Sequence, residues 1–83
     1  MSNYASADAS SKRIKDALGT LRLVLDCGTD PGAVLAADRE VARMQGQSEG
    51  YGHELDPLLR AEVDRAHGDA AARIYQLQQR ATR

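Results

Sequence analysis

The residues able to do chemistry are few, and most of them fall in one short stretch. His53, Glu54 and Asp56 put an imidazole and two carboxylates within four residues. Such a set could ligate a divalent cation or relay a proton. A protein-bound zinc, however, takes three or four ligands at a characteristic spacing, and the chain has neither an HExxH pattern nor paired cysteines to complete such a site. The stretch follows Gly50 and Gly52 and leads into Asp56-Pro57, so it reads as a solvated loop that caps a helix. Cys27 is the one thiol. It is predicted in the last turn of a helix, where the carbonyl end of the dipole opposes a thiolate, and it reads as structural or incidental. His67 lies beside the apolar seam of a long helix with Asp64 three residues before it, and reads as a boundary histidine with a satisfied ring. Gly46, Gly50 and Gly52 are spaced GxxxGxG, follow no strand pattern and precede no Lys-Ser or Lys-Thr, so they form no phosphate loop. The expectation is a protein that is not an enzyme, holds no metal and uses no cofactor.

Charge offers one further feature. Lys12, Arg13 and Lys15 form a local basic cluster that Arg22 could extend, and together these four could contact phosphates. The chain as a whole carries a formal charge of -1, which excludes a global attraction to nucleic acid or to an acidic bilayer. Arg60, Arg65, Arg73 and Arg80 are spread around their helix among Glu62, Asp64 and Asp69, a pattern that serves solubility. No apolar run approaches the roughly 18 residues of a membrane span. With a single cysteine and a polar, Ser/Ala-rich start, the expected compartment is the cytoplasm. Nine arginines against two lysines, with fourteen alanines, match the usage of a GC-rich bacterial or phage genome.

The elements that must carry these groups are helical. Residues 1–7 lack periodicity and read as a disordered arm, leaving 8–83 as a single helical domain. Asp8 is the preferred N-cap of the first helix, ahead of Ser10, because it moves Lys12, Arg13 and Lys15 out of the first turn. Ile14, Leu18, Leu21 and Leu25, joined by Ala17 and Val24, form one apolar face that Gly28 ends. Asp30-Pro31 then supplies a cap and an N1 proline, and so short a connection dictates an antiparallel αα-hairpin. Val34, Ala37, Val41 and Met44 face one way along the second helix, with Leu35 and Ala42 well round the wheel, so this helix meets two neighbours. Gly46 is predicted to end it. Asp56-Pro57 repeats the start signal, and Leu55, Leu59, Val63, Ala66, Ala70, Ile74, Leu77 and Ala81 form one stripe at helical spacing. The stripe keeps its phase across Gly68, which predicts one helix over 57–82 rather than two. The fold class is therefore all-α, a small bundle of three helices made of a hairpin and one long C-terminal helix, with four helices if Gly68 breaks the last.

Residues 30–46, DPGAVLAADREVARMQG, look like helical segments of small phage DNA-packaging and DNA-binding proteins. The likeness covers 17 of 83 residues and carries no functional position with it.

Two functional expectations follow. With no Phe or Trp and many alanines, a lone chain of this size builds a marginal core, and a partner is expected. A long helix of about 39 Å also outruns a hairpin helix of about 26 Å. Leu59, Val63, Ala66, Ala70, Ile74 and Leu77 are therefore the expected seam of a homodimer, while Leu23 and Leu58, off their stripes, are expected to touch another protein as yet unidentified. The first reading is thus a homodimeric regulator, inhibitor or assembly factor acting on a protein partner. The alternative is a small DNA-associated protein of a phage or mobile element.

Overall fold

The computed structural model describes residues 7–27 and 30–81. Three helices account for the structure: α1 (Ala7–Cys27), α2 (Pro31–Gly50) and α3 (Pro57–Ala81), with no strand among the described residues. The hairpin is antiparallel, since Arg13, Asp16 and Thr20 of α1 lie alongside Glu40 and Met44 of α2. The chain turns again so that α3 runs antiparallel to α2, with Val63 beside Gln45 and His67 beside Asp38, and parallel to α1.

The apolar spacing explains the core. Ile14, Leu18, Leu21 and Leu25 from α1, Val34, Ala37 and Val41 from α2, and Leu59, Val63, Ala66, Ala70 and Leu77 from α3 are all buried in one cluster with Ala17. Val24, Met44, Leu55 and Ile74 pack on its margin. Because α2 packs against both other helices, its apolar arc is wide, and Ala42 lines the cleft toward α3.

The helix ends have identifiable chemistry. Asp30 has an extended backbone, and its carboxylate accepts from the Gly32 N–H at 3.1 Å, with Pro31 in the first turn. Its carbonyl accepts from the N–H groups of Ala33 and Val34. At the start of α3 the Asp56 carbonyl accepts from the Arg60 N–H at 2.9 Å.

Three expectations are corrected here. The second helix does not stop at Gly46 but continues to Gly50. Ser48 is the reason: it is buried, one turn beyond Met44, and extends the stripe of Val34, Ala37, Val41 and Met44 by another contact with the bundle. The residue that ends α2 is Gly52, whose φ of 76° is the left-handed value that glycine adopts without a Cβ clash. Its N–H donates to the Glu49 carbonyl at 2.9 Å and the His53 N–H donates to Ser48 at 3.0 Å, which together make a Schellman cap.

Asp8 lies one residue inside α1 rather than at its N-cap, since the helix begins at Ala7. The start falls two residues earlier than a cap at Asp8 implies, within the ordinary scatter of helix ends. Most of the predicted arm, residues 1–6, lies outside the described residues, as do Gly28 and Thr82; Ala7, its last residue, is helical.

The third correction concerns length. At 1.5 Å per residue α3 is about 38 Å long, α1 about 32 Å and α2 about 30 Å, so the hairpin covers most of the long helix. The stripe is covered as far as Leu77, which is 7% exposed. The helix does run unbroken through Gly68. That glycine is exposed, while Ala66 and Ala70 on either side of it are fully buried, so the core holds the phase that one glycine would loosen.

An added Cβ would meet nothing within 4 Å at Gly46 or Gly68, and neither has a positive φ. Gly46→Ala and Gly68→Ala are each expected to stabilise the protein by about 0.5–1 kcal/mol in thermal unfolding followed by circular dichroism. Gly52→Ala should cost about 1 kcal/mol or more. A destabilising Gly46→Ala would contradict a helix that continues to Gly50.

Candidate functional site

Most of the groups singled out in the sequence have local partners in the bundle. Cys27 is exposed at the last residue of α1. No group of three His, Cys, Asp or Glu residues among those described could hold a metal ion.

His53 is half-buried, and its Nδ1 lies 2.8 Å from the Oγ of Ser10, a residue 43 positions earlier that is only 2% exposed. Arg13, one turn on from Ser10, donates to the same oxygen from Nη2 at 3.4 Å. The ring of Tyr51 leans against that of His53 with centroids 5.7 Å apart. An open cleft next to it is lined by Glu49, Gly52, Glu54, Leu55 and Arg60. The histidine therefore fastens a loop onto a helix. A serine hydroxyl so deeply covered has no access to a substrate.

His67 does not pair with Asp64. Its Nδ1 lies 2.9 Å from both carboxylate oxygens of Asp38 on α2, while Asp64 lines the same cleft. The Asp38 side chain is 13% exposed and that of His67 68% exposed. The pair bridges α2 and α3 at the rim of the core. A carboxylate only accepts, so Nδ1 of His67 must carry the proton.

The basic cluster divides among different surroundings. Lys12 pairs with Asp16 at 3.1 Å along the outer side of α1. Arg13 lies in the cleft between α1 and α2, whereas Arg22 lines the one between α1 and α3. Lys15 is exposed. The four cations are thus not brought to one surface, and helical spacing puts Arg13 on the opposite flank of α1 from Lys15 and Arg22.

The α1/α3 cleft, of about 380 Å³, is lined by Arg22, Leu25, Asp26, Asp69, Ala72, Arg73 and Gln76. On α1 the arginine precedes the aspartate by four residues, and on α3 the aspartate precedes the arginine. In parallel helices this order sets Arg22 beside Asp69 and Asp26 beside Arg73. The charges balance across the cleft, although none of these four comes within 4 Å of another as an ion pair. Such a lining steers the register of α3 against α1 and selects neither an anion nor a cation.

Along α2, at the edge of its cleft with α1, Arg43 grips Glu40 with Nη2 at 2.6 Å and Nε at 3.0 Å. These hydrogen bonds hold the Glu40 carboxyl below its ordinary range.

The predicted seam residues Leu59, Val63, Ala66, Ala70 and Leu77 all lie in the chain's own core, with Ile74 packed on its edge. Their apolar surface is used against α1 and α2, so a second chain would have to meet other side chains. Leu23 and Leu58 do face outward, exposed to 64% and 75%, and Tyr75 joins them at 64%. Ser10, Ser48 and Asp38 are the participants that sequence reasoning passed over. Ser48 alone had a local signal, its spacing from Met44.

Comparison with protein-family models, with curated proteins and with solved structures finds no match to this chain. The likeness of residues 30–46 therefore stands on those residues alone.

The Asp38–His67 bridge is accessible to a double-mutant cycle. With one partner exposed, His67→Ala and Asp38→Ala should show a coupling of about 0.2–1 kcal/mol that shrinks at high salt. Additive effects at low salt would remove the bridge from the account.

Proposed function

We propose that the protein is a non-enzymatic helical interaction module that forms a homodimer and acts on another protein as a regulator, inhibitor or assembly factor. One observation carries the reading. Leu23, Leu58 and Tyr75 are each more than half exposed, on a bundle whose core closes without them. Single exposed leucines are ordinary, but three large apolar side chains exposed on so short a chain would each gain by being covered. Supporting it, the α1/α3 cleft and the cleft beside the loop each carry charges of both signs.

In this reading self-association uses outward-facing residues, because the α3 stripe is occupied in the chain's own core. Leu58 is the strongest candidate, being the most exposed of the large apolar side chains and lying in the first turn of α3. Sedimentation equilibrium should give a species of twice the 9.0 kDa chain mass. Leu58→Lys or Leu23→Lys should weaken that dimer by about tenfold or more while leaving helicity unchanged. A wild type that stays monomeric at high micromolar concentration would overturn the homodimer.

A further inference from the structure

We infer that Ser10 and His53 form a proton-dependent clasp that ties the loop between α2 and α3 to the first turns of α1. The inference stands apart from the proposed function and rests on hydrogen-bond polarity. Ser10 Oγ has two partners, His53 Nδ1 at 2.8 Å and Arg13 Nη2 at 3.4 Å, and no other among the described residues. A guanidinium can only donate, so Arg13 occupies the oxygen as an acceptor. The serine proton then needs an acceptor of its own, and His53 Nδ1 is the group in reach. Nδ1 is therefore unprotonated, and the ring is the neutral tautomer that carries its proton on Nε2.

That arrangement fails when the ring takes a second proton. Nδ1 becomes a donor, two cationic groups aim N–H bonds at one oxygen, and the serine proton loses its acceptor in a covered site. Other charged groups near the ring do not decide the matter by sign. Arg13 approaches from α1, Glu49 from α2, Glu54 from the loop and Arg60 from α3, so two carboxylates face two guanidiniums, with the Tyr51 ring stacked alongside. The polarity of the short bond decides. His67 provides an internal contrast, because its Nδ1 donates to the Asp38 carboxylate in the neutral and the charged ring alike. Acid should therefore release the loop from α1 while leaving the bridge between α2 and α3 intact. The loop stays joined to α2 through the His53 N–H bond to Ser48, so the opening is local.

The test is nitrogen-proton correlation of the two imidazoles, with amide protection factors, at about pH 8 and about pH 5, on either side of the ordinary histidine range. At the higher pH His53 should be the Nε2–H tautomer and His67 the Nδ1–H tautomer. On acidification, protection at residues 51–55 should fall by about tenfold while that of Leu21 in the core holds. Ser10→Ala should show the low value at both pH values. His53→Asn, whose side-chain oxygen can take the place of Nδ1 and does not titrate, should keep the high value at both. An Nδ1–H tautomer for His53 at the higher pH would overturn the clasp. So would protection in the wild type that ignores pH, or a pH response that survives in Ser10→Ala.

Discussion

The structure depends on how little its central side chains can reach. Four of the thirteen buried core residues are alanines, Ala17, Ala37, Ala66 and Ala70, and no Phe or Trp is present to span a gap. An alanine contributes dispersion contact only when a neighbouring helix comes close, so burying four of them favours a close approach of the axes. From this closeness the other features follow. Ala66 and Ala70 must both face inward, which holds α3 straight across Gly68. The larger apolar residues Ile14, Leu21 and Val34 are fully buried among them.

The same constraint shapes what the molecule can do. Close helices leave clefts at the surface, and the polar side chains that border the core pair across helices where geometry allows. Asp38 with His67 and Ser10 with His53 are both of this kind, one between α2 and α3 and one between α1 and the loop. They fix register where apolar packing thins out. The proposed recognition would use the outer surface, where Leu23, Tyr51, Leu58 and Tyr75 stand exposed. Binding through such a surface works by covering area rather than by enclosing a ligand.

Starts were legible in the sequence and ends were not, for a physical reason. Asp30-Pro31 and Asp56-Pro57 announce helix starts through chemistry held within two residues, and both helices begin there. The end of α2 depended on a choice between Gly46 and Gly52. Both look alike locally, and the burial of Ser48 against the bundle decides between them. Ending α2 four residues early shortens it by about 6 Å and exaggerates the overhang of α3, which still exceeds α2 by about 8 Å. Long-range polar pairs were equally hidden. His67 had Asp64 at helical spacing, yet its partner lies 29 residues away, and Ser10 and His53 are 43 apart. The apolar stripes, by contrast, repeat over many residues, and twelve of the thirteen core residues were read from that spacing alone, with Ala17 named beside them.

The central claim is that one chain closes its own core around buried alanines, and Ala66 tests it most directly because it is fully buried at the middle of the longest helix. The measurement is urea denaturation of Ala66→Leu against the wild type. Three added carbons between close axes should lower the stability by about 1–3 kcal/mol with little change in the dependence on denaturant. An unchanged or raised midpoint would show that space remains at this position, and that the helices are not held together in the way described.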